Sequence, residues 1–144
     1  MAYMNQDKKK SMMPQIKAVL KKYNMKGSIS VSNHSTLVVS LKSGSLDLIT
    51  AANKYNEKIC EWRGWARSTI SDYLQVNPYH CVDNMREVGE EKIADFYEEL
   101  LGAMHGVGSK YTNHDNSDIQ SDYFDVGWYV DVNAGLWNKP YVCN

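Results

Sequence analysis

Proline and cysteine are scarce in this chain of 144 residues, with three of each. The cysteines, Cys60, Cys81 and Cys143, are odd in number and show no CxxC spacing. That speaks against a disulfide framework and favours reduced thiols. No apolar run approaches the roughly 18 residues that span a bilayer, so no membrane partner is expected. The opening "MAYMNQDKKK" has lysines but no apolar segment behind them, unlike a secretory signal. These absences point to a cytoplasmic protein. No GxSxG, P-loop, GxGxxG or HExxH occurs. Without a recognisable catalytic set, the expectation is a protein that is not an enzyme and needs no cofactor.

Zinc and calcium chemistry find little support. The four histidines (34, 80, 105 and 114) are scattered and the cysteines unpaired. Ser117 to Gly135 carries Asp118, Asp122, Asp125 and Asp131 among large aromatics, and "NHDNSD" adds His114 and Asp115. Oxygen-rich sets of this kind suit Mg²⁺, Mn²⁺ or Ca²⁺. An EF-hand frame from Asn113 fails, because its glycine position holds Asp118 and its terminal glutamate position Phe124. A capped, solvated loop accounts for the cluster, and no metal is expected. His80 and Cys81 are adjacent, but in an extended segment they would face opposite ways and form no dyad.

What is present is an ordinary globular composition, 43% hydrophobic and 23% charged, with ten tyrosines and four tryptophans. A chain of this length fits one domain, 1–144, and can bury a core. Ile16, Val19, Leu20 and Tyr23 recur at helical spacing, with Gly27 as a stop. Asn5 is a candidate N-cap for an earlier start, in which case Pro14 would kink the helix or begin a new one, leaving residues 1–12 as an extended or kinked lead-in. Ile29 and Val31, then Leu37, Val39 and Leu41, alternate about Asn33-His34, which predicts a β-hairpin with one buried face. Leu48, Ala52, Tyr55, Ile59, Trp62 and Ala66 form a helical stripe that Gly64 and Ser68-Thr69 should end. "DYLQVNP" reads as a short strand stopped by Pro78. A helix with Ile93, Phe96, Leu100 and Met104 inward follows, then a loop, then a strand with Trp128, Val130 and Val132 on one side and Tyr129, Asp131 and Asn133 on the other. The expected order is α-β-β-α-β-α-β, an α+β domain with a mostly antiparallel sheet covered by helices.

Charge is unevenly spread. Residues 1–43 carry eight lysines and one aspartate, 8 − 1 = +7, while residues 44–144 carry eight basic and sixteen acidic side chains, 8 − 16 = −8. Two binding surfaces follow from this. One is an acidic face of Glu90, Glu91, Asp95, Glu98, Glu99, Asp118 and Asp122, able to meet a protein complex by competing for its nucleic-acid-binding surface. The other is a lysine-rich first helix, with Lys8, Lys9, Lys10, Lys17, Lys21, Lys22 and Lys26 as nucleic-acid contacts. Arginine is absent from that region, so bidentate base or phosphate recognition is not indicated. Trp65, Trp137 and Tyr141 are the candidate exposed aromatic anchors. Solvated faces and core aromatics are the plainer alternatives for all of these.

Four segments carry a family resemblance: "MAYMNQDKK", "IKAVLKKYNMKGSISVSNHSTLVVSLKSG", "YLQVNPYH" and "NSDIQSDYFDVGWYVDVNAGLWNKPY". Together they resemble the large-polyvalent-protein-associated domains of bacteriophages and other mobile elements, of the family-twenty-nine type. The hairpin Asn33, His34, Ser35, Thr36 and the closing Asp122, Tyr123, Phe124 with Asn133, Gly135, Lys139, Pro140 and Tyr141 are its most specific parts. The resemblance implies a phage accessory protein in the cytoplasm of an infected bacterial host, and it brings no catalytic residues. The favoured expectation is thus a non-enzymatic macromolecule-binding module that meets a host or phage protein complex, in the manner of an inhibitor of a host defence complex; nucleic-acid binding through the lysine helix is the alternative.

Overall fold

The computed structural model describes residues 3–64, 73–107, 128–135 and 139–143. Asn5 opens the first helix, α1 (Gln6–Lys22), its side-chain oxygen accepting the Lys8 N–H at 2.8 Å. The helix runs through Pro14 rather than restarting there. Pro14 and Lys10 are both exposed, so the carbonyl that loses its donor faces water. Met12, Ile16 and Leu20 are buried along one side. The helix stops at Tyr23, and Asn24 turns the chain with φ 54°. Gly27 is therefore not the stop; it lies inside β1 (Met25–Ser32).

The expected hairpin is present. Asn33 and His34 take φ of 53° and 56°, the left-handed centre of a turn closed by the Ser35 N–H on the Ser32 carbonyl, and after the three-residue loop 33–35 β1 returns as β2 (Thr36–Gly44). Leu37, Val39 and Leu41 are fully buried, while Ser28, Ser30 and Ser32 across the pleat are exposed. The turn is tied at both carbonyls: His34 accepts from the Met4 N–H at 2.8 Å and Ser35 from the Tyr129 N–H at 2.9 Å.

Asp47 caps α2 (Leu48–Arg63), and Gly64 at φ 69° ends it, as its position after the stripe requires. The stripe itself is shallower than its period implies. Leu48, Ala51 and Cys60 are buried, Ala52, Tyr55 and Ile59 are half-buried, and Trp62 is 76% exposed. Periodicity marks a face but not how far a neighbouring layer extends along it, and here cover ends a turn early. A three-residue β3 (Leu74–Val76) follows. "HCVDNMRE" is not extended: Cys81 begins a short helix, α3 (Cys81–Glu87), missing from the expected order because seven residues are too few to show a period. Next comes α4 (Glu91–Met104), with Ile93, Phe96, Leu100 and Met104 buried as expected. The last strands are β4 (Tyr129–Ala134) and a two-residue β5 (Val142–Cys143), the second unanticipated.

The architecture is α+β, four helices with a mixed sheet ordered β1-β2-β4-β3. β1–β2 and β3–β4 are antiparallel, but the central β2–β4 pair is parallel, and β5 joins β2 in parallel as well. Sequence-adjacent strands suggest hairpins. The chain between β2 and β4 is long enough to carry three helices and return in the same direction. The inward sheet residues and the apolar sides of α1, α3 and α4 meet in one hydrophobic cluster. The opposite sheet face carries Ser28, Ser30, Thr36, Val38, Ser40, Gln75, Tyr129, Asp131 and Asn133, none of them buried.

Candidate functional site

On α4, Glu91, Asp95 and Glu98 stand at i, i+4 and i+7 and share one exposed side. Arg86, from α3, reaches all three at 2.5, 3.1 and 3.0 Å. Its guanidinium is held further toward the charged form by hydrogen bonds to Asp95 and Glu91. Glu90 pairs with Lys54 at 3.2 Å. Glu99 receives Lys22 at 2.6 Å and the Tyr23 hydroxyl, and these donors hold its carboxyl below the ordinary range. Of the five described carboxylates of the expected acidic face, only Glu91, Asp95 and Glu98 are brought together, at one shared guanidinium, while Glu90 turns to α2 and Glu99 to α1. Asp118 and Asp122 lie outside the described residues. The basic and acidic parts of the chain meet at Lys22–Glu99, so part of the charge asymmetry is neutralised internally.

The lysines divide differently. Lys8 is held, its ammonium donating to the Tyr3 carbonyl at 3.1 Å and sitting 5.2 and 5.4 Å from the Tyr3 and Trp128 ring centres. Lys22 is committed to Glu99. Lys9 and Lys10 lie in the first turns of α1 and do not line the groove described next. Lys17, Lys21 and Lys26 are exposed and, with Asn24 and Gly27, line an open groove of about 460 Å³ where α1 passes into β1. No ion pair occupies these three among the described residues. Spacing on α1 brings Lys17 and Lys21 together; only the Tyr23–Asn24 turn adds Lys26.

On the opposite face of the sheet lies a second hollow of about 290 Å³, bordered by Ser28 and Ser40 with Lys42 and Lys139. Lys139 stands out in the sequence only as part of the closing segment that carries the family resemblance, and nothing links it to Lys42, because the two lie far apart in the chain and are joined by the return of the chain to β5.

The aromatic anchors resolve in part. Tyr141 is buried, not exposed: its hydroxyl donates to the Leu46 carbonyl at 2.5 Å, and burial raises its pKa. A phenol whose O–H finds a backbone acceptor is stable inside, and the polar residues flanking it in sequence gave no sign of that. Trp65 and Trp137 lie outside the described residues. Among the described residues Trp62 and Tyr79, each 76% exposed, are the most exposed large aromatics, with Tyr3, Tyr73 and Tyr129 exposed to a lesser degree.

A smaller cavity of about 180 Å³ lies between α2, β3, α3 and α4, with Cys81 and Tyr97 in its wall. Burial pushes the Cys81 thiol up to about 11, which makes it a poor nucleophile at neutral pH. Among the described residues no group of three or more His, Cys, Asp or Glu is placed to hold a metal. His114, Asp115 and Asp118, the candidate ligand set, fall outside them, as does Asp125. No described helix is long and apolar enough to cross a membrane.

No protein-family model, curated protein or solved structure matches this chain.

Proposed function

We propose that this chain is a non-enzymatic module that binds the phosphate backbone of nucleic acid through the groove of Lys17, Lys21 and Lys26. The observation that carries the reading is the contrast in pairing: among the described residues no carboxylate pairs with these three exposed ammonium groups, whereas every described carboxylate on α4 already meets a cation, three of them sharing Arg86. Lysines on an exposed groove neutralise phosphates and release counterions without reading bases, so binding is independent of sequence and steeply salt-dependent. The setting is that of a phage accessory protein acting in the host cytoplasm, as the sequence resemblance implies.

The test is fluorescence anisotropy on a labelled duplex across a salt series. Three phosphate contacts at about 0.9 each give a log–log salt slope near −2.7 from this groove alone. The combined variant Lys17→Gln, Lys21→Gln, Lys26→Gln should flatten the slope by that amount. Equal affinity of wild type and variant at low salt would defeat the reading.

One observation favours a second reading, a protein-docking acidic face. Glu91, Asp95 and Glu98 share a single guanidinium, which leaves 3 − 1 = 2 negative charges there. A partner retained after nuclease treatment and lost with Glu91→Lys, Asp95→Lys and Glu98→Lys would replace the first reading with this one.

A further inference from the structure

Lys42 is skipped by the sheet on both sides. Toward β1 the pairing steps from Ser43↔Lys26 to Leu41↔Gly27, which makes Lys42 the extra residue of a bulge. Toward the other side, β4 pairs as far as Leu41↔Ala134 and β5 begins at Ser43↔Val142, passing over Lys42 again. Bulges re-aim side chains and are over-represented beside functional sites. Here the exposed Lys42 borders the hollow of about 290 Å³ together with Ser28, Ser40, Gly135, Lys139 and Pro140. That size is near the lower end of small-molecule sites, about 300–1,000 Å³.

The far wall is fixed by the chain's detour. Gly135, at φ 80°, donates its N–H to the Leu41 carbonyl at 2.8 Å and leaves the β4 ladder. The chain comes back through Lys139 and Pro140 to resume the same lane as β5. Two ammonium groups and two hydroxyls thus border one concavity with no carboxylate among the described residues of its walls. All four can donate hydrogen bonds, and two carry positive charge, the chemistry of an oxyanion site.

We propose that this hollow binds a phosphate group, with Lys42 and Lys139 supplying the charge and Ser28 and Ser40 the neutral donors. The phosphate belongs either to a small phosphorylated molecule or to a nucleic-acid strand. The second source rests on the function proposed above: Gly27 borders the lysine groove and Ser28, on the opposite face of the sheet, borders this hollow, so a strand would pass from one to the other around the β1 edge.

The experiment uses two probes, inorganic phosphate and a single-stranded oligonucleotide without terminal phosphate. The proteins are wild type, Lys42→Gln/Lys139→Gln, and the groove triple variant. Inorganic phosphate is followed by backbone amide NMR shifts and the oligonucleotide by anisotropy across a salt series. Both lysines are exposed, and equal melting temperatures confirm that the pair variant folds. For a strand, the pair variant should flatten the salt slope by about 1.4, two contacts at about 0.7 each. For a small molecule, inorganic phosphate should shift the amides of Ser28, Ser40 and Lys42 in wild type and not in the pair variant, with oligonucleotide affinity unchanged. Either result supports the site. Absence of both overturns it, and loss of oligonucleotide binding in the groove triple alone would then leave the proposed function standing without this hollow. If the pair variant loses binding and the triple does not, the hollow stands and the groove reading falls.

Discussion

The carbonyl oxygen of Ser40 lies 2.6 Å from where a Cβ on Gly27 would stand, with the Leu41 Cα 3.2 Å away. Both are backbone atoms, so neither can swing aside. This close approach lets β1 and β2 stay paired across the bulge that frees Lys42. Gly27→Ala should therefore destabilise the fold by about 1–3 kcal/mol, the usual cost of forcing extra volume into packed structure. Urea unfolding checks it as a lower midpoint with the slope unchanged. The same variant should weaken oligonucleotide binding, since Gly27 also lines the lysine groove.

Trp128 offers a second test. Its indole N–H donates to the Met104 carbonyl at 2.9 Å, and the side chain is 2% exposed. One bond thereby joins the entry to β4 with the last turn of α4. Trp128→Phe keeps a ring but removes the donor, and leaving a buried acceptor unmet costs about 1–3 kcal/mol. Trp128→Ala also opens a cavity and should cost about 3–5 kcal/mol. Thermal melts of the two variants should rank them in that order.

The Glu99 carboxylate predicts an acid limb in stability. Hydrogen bonds from Lys22 and Tyr23 lower its folded pKa below the ordinary 4.5. The folded state then prefers the ionised form, so this contribution is complete above the unfolded pKa. It fades as pH falls through that value toward the folded one. Denaturant midpoints measured from neutral pH down to below about 4 should show the decline. Glu99→Gln should flatten that part of the curve; an unchanged slope would mean the Lys22–Tyr23–Glu99 cluster does not form.

Thiol labelling should separate the cysteines. Cys143 is exposed, whereas Cys60 and Cys81 are buried, and the Cys81 thiol is also pushed up to about 11. Iodoacetamide near neutral pH should modify Cys143 first and the other two only on unfolding. Rapid loss of Cys81 in the native protein would contradict the packing of α3 against α4.

Much of the fold was legible because its signals are local. Alternation of Leu37, Val39 and Leu41, and the 93/96/100/104 spacing of α4, record which side of an element is buried whatever covers it. Asn33-His34 announces its turn because few residues tolerate positive φ at both central positions. The failures are equally physical. Seven-residue α3 is too short to display a period, and without it Arg86 had no visible relation to Glu91, Asp95 and Glu98. Trp62 fits the helical stripe yet is exposed, because among the described residues no layer reaches that turn. Tyr141 sits among polar neighbours yet is buried, because its acceptor is a carbonyl 95 positions away.

By itself the sequence determined where the longer helices and most strands lie, which sides of them are apolar, and that lysines cluster early and carboxylates late, since all of these depend on neighbours along the chain. The tertiary structure alone decided which charges are spent and which remain available. It folded Lys22 onto Glu99 and Arg86 onto three carboxylates, and it left Lys17, Lys21 and Lys26 bordering one hollow and Lys42 and Lys139 another. Electrostatic pairing is set by distance through space, and a parallel strand that returns after a long crossover creates distances that no spacing along the chain records.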